Sequence, residues 1–390
     1  MTVKLGIVGG RRGRVYREAA QVLSSRLHVH AVCDVDEAEL EAWRREAPDV
    51  LRYRCLEDLL SDDEVTAVYV ATPALDHARH AVACLTAGKH VLCEVPAVLT
   101  IEDAYGLVEA AETSQRIYMM AENYCYIPEV RAVRRLCDEG RFGEITYAEG
   151  QYLHDCRSLL WASDGRLTWR GELRRDFPGN SYPTHSLGPI AQWLGLGAVG
   201  RDQLANLAAY RTPDESLTAY ARERWGSGHP SAIEGFFNHG DRIVTILTTQ
   251  RQAIVLLQLD THSPRPPQKA GFALQGTRGA YVSGRYEGEA GLIWLDKDGQ
   301  DVDSNAAHAW VPIEDNGRGL FQGEAGRRPR AAESALLADF LAAVEGRHAA
   351  AIDVYDAVTW SVVAALSRQS IEEGGRTVDV PAFRPTVGSK

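Results

Sequence analysis

Hydrophobic and polar positions in the first third of the chain switch repeatedly between two periods. Short apolar runs at 3–8, 29–33, 67–71, 90–93 and 117–121 have the length and composition of buried strands. Between them, apolar residues recur at three- and four-residue spacing, which predicts helices from about Val15 to Leu23, Glu37 to Arg45, His77 to Ala87 and Ile101 to Glu112. Thr72-Pro73 and Pro96 stop the strands before them, and Gly88 stands where the helix ending at Ala87 needs its cap. Strands this apolar, alternating with helices, predict a parallel sheet covered on both faces.

From about residue 144 the pattern changes. The stretches 144–152, 232–238, 243–249 and 253–259 alternate or are β-branched, without intervening helices, and predict an open, mostly antiparallel sheet. Helical spacing returns at 182–194, 331–344 and 354–371; the last is amphipathic and is expected to pack back on the first domain. The stretch 263–269 is proline-rich and predicted to be irregular. The fold class is therefore α/β followed by α+β, divided into residues 1–123 and 124–390.

Length and composition add limits. A chain of 390 residues suits two domains, and 45% hydrophobic with 24% charged residues is a globular composition. The net charge of -11, with signs interspersed and no polybasic tract, argues against a nucleic-acid or anionic-membrane partner. No apolar run approaches the roughly 20 residues of a membrane span, and Met1-Thr2-Val3-Lys4 leads straight into a strand, so a cytoplasmic protein is expected. The seven cysteines include no C-x-x-C pair, and His154-Asp155-Cys156 has no spaced partners, so neither a disulfide framework nor a metal centre is predicted.

The turn Gly6-Ile7-Val8-Gly9-Gly10-Arg11-Arg12-Gly13 lies between a strand and a helix. Glycines there let the backbone approach a pyrophosphate at the helix N-terminus, and Arg11 and Arg12 either neutralise its charge or form a solvated turn. Asp34 ends the second strand, where a carboxylate bonds the ribose hydroxyls and favours NAD over NADP. The turn departs from G-x-G-x-x-G, with Arg11 at the middle glycine position. Together these features predict a Rossmann domain over residues 1–123 and a substrate and oligomerisation domain over 124–390.

Further along, Gly88-Lys89-His90-Val91-Leu92-Cys93-Glu94-Val95-Pro96 and Gly140-Arg141-Phe142-Gly143-Glu144-Ile145 resemble segments of the glucose–fructose oxidoreductase/inositol dehydrogenase/MocA family. Glu94-Val95-Pro96-Ala97, Glu122-Asn123-Tyr124-Cys125-Tyr126, Tyr152 with His154-Asp155, and Gly179-Asn180-Ser181-Tyr182-Pro183-Thr184-His185-Ser186 are similar to one branch of it, the NAD-dependent glycosidases of glycoside hydrolase family 109. Ser263-Pro264-Arg265-Pro266 and the stretch 353–361 are similar to it too. The chain departs from the branch at Pro267, where a tyrosine is expected, and at Ala74, where a tryptophan is. These departures bear on the identity of the sugar.

The resemblance implies a tightly held, recycled NAD against Gly9, Gly10, Arg11, Arg12, Gly13, Asp34, Thr72, Ala74, His77, Glu94, Val95 and Asn123, with His77 serving equally well as a helix cap. It implies a carbohydrate substrate held by Tyr152, Arg170, Tyr182, Thr184 and His185, and chemistry carried by His185, Tyr152, Tyr182 and Glu122. Ordinary dehydrogenases of the superfamily use a lysine and an Asp/His pair; here Val95 and Ser181 stand at the lysine and aspartate positions. A net sugar or cyclitol dehydrogenase is therefore the less well equipped alternative, and a dinucleotide-binding sensor without activity the third. A homo-oligomer is expected from the open sheet.

Overall fold

Six parallel strands build the first sheet: β1 (Val3–Val8), β2 (Leu27–Cys33), β3 (Leu51–Tyr53), β4 (Ala67–Val70), β5 (His90–Cys93) and β6 (Tyr118–Met120). The computed structural model describes residues 2–197, 201–266, 268–286, 288–296, 309–313 and 330–385. The strand order is β3-β2-β1-β4-β5-β6, a doubly wound Rossmann sheet whose direction reverses between β1 and β4. Its core strands are buried on both faces, as their unbroken apolar runs predict: Leu5, Ile7, Val32, Val68, Val70, Val91 and Leu92 expose nothing. Strand β3 was not predicted, because it is three residues long and half to fully exposed.

Helix α1 (Gly10–Gln21) begins five residues before the predicted Val15. Local propensity disfavours a glycine-rich first turn, but tertiary packing overrides it. A Cβ on Gly13 would lie 2.3 Å from Ile7 Cγ2, so only glycine lets this turn lie flat on β1. Helices α2 (Glu37–Glu46), α3 (Leu56–Leu60), α4 (His77–Thr86) and α5 (Ile101–Ser114) complete the alternation.

The chain forms two compact units. The first runs through Pro128 and also takes in residues 330–362 and Phe383–Pro385. Where the sequence reading puts everything after residue 123 into one domain, a later stretch thus belongs to the first unit. Among the described residues, α6 (Pro128–Asp138), α7 (Trp169–Asp176), α8 (Thr184–Leu194) and α9 (Ser216–Trp225) precede that stretch. Within it, α10 (Ala331–Val344) packs on α1, and α11 (Val354–Ser361) packs on α5 and β6.

The predicted helix over 354–371 is two helices, since α12 (Val363–Glu372) follows a break at Val362 and belongs to the second unit. Buried serines fix each half. Ser361 accepts from the Ala97 N–H at 2.9 Å in the first unit, whereas Ser367 and Ser370 accept from the Asn180 and Ala209 N–H groups at 2.8 and 2.9 Å in the second. Only the first half therefore packs on the Rossmann sheet.

Among the described residues, the second unit carries a mostly antiparallel nine-stranded sheet, as expected. Its strands are β7 (Ile145–Leu153), β8 (Leu204–Arg211), β9 (Ile243–Thr249), β10 (Ile254–Asp260), β11 (Gln268–Gly276), β12 (Gly279–Val282), β13 (Leu292–Leu295), β14 (Val311–Pro312) and β15 (Val378–Asp379). The order is β14-β13-β12-β11-β7-β10-β9-β8-β15, with β7 and β10 parallel and the other pairs antiparallel. The predicted strand at 232–238 does not form. Its apolar residues Ala232 and Phe237 are instead buried with Phe236 around Trp161, an aromatic cluster that mimics strand alternation in sequence. The irregular stretch predicted over 263–269 gives way to β11 at Gln268. Among the described residues, no helix is long and apolar enough to cross a membrane.

One glycine lets α8 lie close on β7. Gly150 faces this helix, and a Cβ there would lie 2.5 Å from the Ser186 carbonyl oxygen. Side chains on a strand alternate, so Tyr152 shares that face and meets the first turn of α8. Gly150→Ala is expected to push this turn off the sheet, at about 1–3 kcal/mol. Urea denaturation checks the stability loss, and activity should fall with it because the first turn carries His185.

Candidate active site

The candidate cofactor site is built on the crossover between β1 and β4. Gly9 caps α1 with φ 99°, and a Cβ on it would lie 2.4 Å from the Ala71 carbonyl at the end of β4. Gly9 brings no capping side chain and no acid lies in the first turn of α1, so apart from the Gly10 N–H its N-terminal N–H groups remain for an anion. Asp34 accepts from the Gly10 N–H at 2.7 Å and from the Asp36 N–H at 2.9 Å, which fixes its carboxylate beside the glycine turn. Each oxygen keeps a further acceptor direction for a ribose hydroxyl. These residues fit a dinucleotide.

Arg11 is exposed on the turn, but Arg12 is committed. Its Nε donates to Glu94 at 2.6 Å, and the Tyr69 hydroxyl donates to the same carboxylate at 2.5 Å. Burial raises the Glu94 pKa, but Arg12 and Tyr69 outweigh it and hold the carboxyl below its usual range. Val95 beside it is buried and brings no proton-transfer group to the lysine position. His77 is buried, with Nδ1 2.7 Å from the Pro96 carbonyl and Nε2 2.8 Å from the Thr72 carbonyl. It therefore ties the loops after β4 and β5 together rather than capping α4. Thr72 bonds His80 at 3.0 Å, and Ala74 is buried in a short 3-10 turn. Glu122 is fully buried at the end of β6 and accepts from the Tyr124 N–H at 3.0 Å; Asn123 donates to Glu333 at 3.3 Å.

The second unit carries a cluster of its own, where the structure brings three predicted residues together. Tyr152 at the end of β7 has its ring 4.9 Å from His185 and 6.3 Å from Tyr182, and the Tyr182 and His185 rings are 5.7 Å apart. Thr184 and His185 are the first two residues of α8, and both are buried. Tyr182 lies just before that helix, although helical spacing predicted it inside. Arg170 sits in the first turn of α7, with its guanidinium 4.2 Å from the ring of Trp169. Asp155 is taken by Arg157, which donates to it at 3.0 and 2.8 Å. Pro267 lies outside the described residues.

Sequence reasoning missed Arg174. Its guanidinium is buried, 6.0 Å from the Tyr182 ring, and bonds Ser181; its Nη1 is 3.3 Å from His239 Nε2. Among the described residues no carboxylate pairs with it. Burial pulls its pKa down, while Tyr182, Cys156 and Tyr152 oppose that shift. Ser181, at the aspartate position, thus serves Arg174 and His239, which lies 3.2 Å away. The signal was available in principle, since Arg174 lies one helical turn after Arg170, but Arg174-Arg175 reads as a charged surface pair.

A dinucleotide turn on a Rossmann sheet, with a tyrosine–histidine cluster on a second sheet unit, defines an NAD-binding protein of oxidoreductase architecture. Residues 3–122 match the family model for the oxidoreductase family, NAD-binding Rossmann fold, and residues 126–388 match the glycosyl hydrolase 109 C-terminal domain. The chain belongs to glycosyl hydrolase family 109, and its class is that of an NAD-dependent glycosidase.

An alpha-N-acetylgalactosaminidase from Bacteroides fragilis is 29% identical, over 98% of this chain and 92% of the relative. A glycosyl hydrolase family 109 protein from a Shewanella strain is 30% identical, over 98% of this chain and 85% of the relative. In fold the chain is similar to levoglucosan dehydrogenase in complex with NADH, with a TM-score of 0.79 at 18% identity, over 98% of this chain and 100% of that one. An oxidoreductase domain protein from Kribbella flavida gives the same TM-score at 19% identity, with the same coverage.

Proposed function

We propose that this protein hydrolyses a glycoside of the N-acetylgalactosaminide type by oxidation at C3, elimination at C1, water addition and re-reduction. The observation that carries the reading is the packing of Tyr152, Tyr182 and His185 beside a buried, carboxylate-free Arg174. Gly9, Gly10 and Asp34 would hold a tightly bound, recycled NAD, which would supply a hydride acceptor and donor for C3. His185 accepts the 3-hydroxyl proton. The C3 ketone acidifies the C2 proton, which Tyr152 removes as a phenolate. The enolate then expels the aglycone from C1, with Glu122 protonating the leaving oxygen. Water adds back across C1 and C2: its oxygen bonds C1 while Glu122 takes its released proton, Tyr152 returns a proton to C2, and His185 returns the 3-hydroxyl proton as C3 is re-reduced. Tyr182 and Thr184 orient the sugar, and Arg170 contributes a substrate contact.

Val95 and Ser181 argue against net dehydrogenation, since neither supplies the base of the superfamily's dehydrogenases. The test is hydrolysis of α- and β-aryl N-acetylgalactosaminides in D₂O with NAD⁺, followed by proton NMR. Deuterium at C2 of the released sugar is the expected result. Hydrolysis without exchange removes the elimination route, and NADH accumulation without cleavage establishes a dehydrogenase.

The open face of the second sheet presents Ile246, Ile254, Val282 and Leu292, each about 40% exposed, among polar neighbours. That face fits a second copy of the chain. Light scattering in solution reads the oligomer directly, and a monomeric mass rules it out.

A further inference from the structure

Three loops of the second unit converge away from the tyrosine–histidine cluster. Asp214 lies between β8 and α9, Asp241 in the turn before β9, and His262 directly after β10. One ligand atom from each lies within 4.8 Å of the other two. A point among three such atoms is at most about 2.8 Å from each, so small side-chain rotations reach metal–ligand distances of roughly 2.0–2.2 Å.

The polar atoms here are poorly satisfied. Asp241 accepts from the Ser216 N–H at the start of α9, but both Asp214 oxygens are buried without a hydrogen bond of good geometry. The N–H groups of Leu217 and Gly240 face the Asp214 carboxyl. His262 is fully buried, its Nδ1 lies 3.1 Å from the Gly240 carbonyl, and its Nε2 has no partner among the described residues. One ring nitrogen of His262 belongs to a group with two carboxylates, and in the tautomer with its proton on Nδ1 the other nitrogen keeps a lone pair. Buried lone pairs and like charges together call for a cation.

We propose that Asp214, Asp241 and His262 bind one divalent transition-metal ion, with Zn²⁺ the best match to one imidazole and two carboxylates. Three protein ligands leave a further position for water. Asp241 also lines an open cavity of about 450 Å³ with Thr212, Pro213, Asp260 and Arg265, which gives the ion a path from solvent. The ion ties the start of α9 to β9 and β10. The His262 ring lies 4.8 Å from that of His239, which touches Arg174 and Ser181, so the ion steadies the wall behind the aromatic cluster. Ligands drawn from three separate loops leave no spacing motif, which is why the sequence predicts no metal.

The test uses the full chain, stripped with chelator and titrated with Co²⁺ and then Zn²⁺. One equivalent of Co²⁺ is expected, with visible d–d bands and no thiolate charge-transfer band, displaced by one equivalent of Zn²⁺. Asp214→Asn and His262→Gln are each expected to weaken binding about tenfold or more. A thiolate band, binding unchanged in both variants, or no binding to the parent protein overturns the site. Displacement by Mg²⁺ or Ca²⁺ as effective as by Zn²⁺ overturns the metal class. Should one variant fail to fold, the other and the parent spectrum decide.

Discussion

Replacing Tyr152 by Phe is expected to lower glycoside hydrolysis about 10³-fold while leaving the fold and NAD binding intact. The substitution removes one hydroxyl from a half-buried ring at the end of β7 and keeps the ring contacts with His185 and Tyr182. Because those contacts persist, a stability change beyond about 0.5 kcal/mol is not expected. The informative readout is the split between steps. If Tyr152 is the base at C2, deuterium exchange falls with hydrolysis, while transient C3 oxidation, read as NADH absorbance on mixing with substrate, persists. His185→Asn is expected to show the reverse, with the initial oxidation lost first. Equal loss of both steps in Tyr152→Phe would assign the tyrosine to binding and leave Tyr182 as the candidate base at C2.

The Rossmann sheet was legible, apart from the exposed β3, because its core strands are buried on both faces and the longer helices between them carry apolar positions at helical spacing. Tyr182, Thr184 and His185 were legible only through a segment similar to a known family; composition gives no reason to place them beside Tyr152. Their meeting depends on Gly150, whose missing side chain lets α8 lie on β7, and a glycine in a strand pattern does not say which helix approaches it. The break at Val362 was hidden because both helices share helical spacing. Buried serines, which look polar in a sequence, instead bond the backbone of two different units. The false strand at 232–238 shows the converse, since aromatic packing around Trp161 produces alternation without a ladder.

Arg174 escaped for a related reason, and its replacement gives the second large expected effect. A buried guanidinium without a carboxylate partner costs stability, because its lost hydration is not repaid by an ion pair. Arg174→Met is therefore expected to hold or raise thermal stability, by up to about 2 kcal/mol, while hydrolysis falls about 10²-fold or more. The opposite signs follow from one cause. In the proposed mechanism, the charge that burdens the fold would stabilise negative charge on the phenols of Tyr152 and Tyr182 and on the enolate. The pH profile separates this from simple packing. A nearby cation favours the phenolate, so losing it moves the rise of activity with pH to higher pH, and activity should partly recover in alkaline buffer. Arg174→Lys keeps the charge and should leave the profile near its original position even if turnover drops. A destabilised Arg174→Met protein with an unmoved profile would make Arg174 a structural partner of Ser181 and His239, and the cation that activates the tyrosine would have to be sought elsewhere.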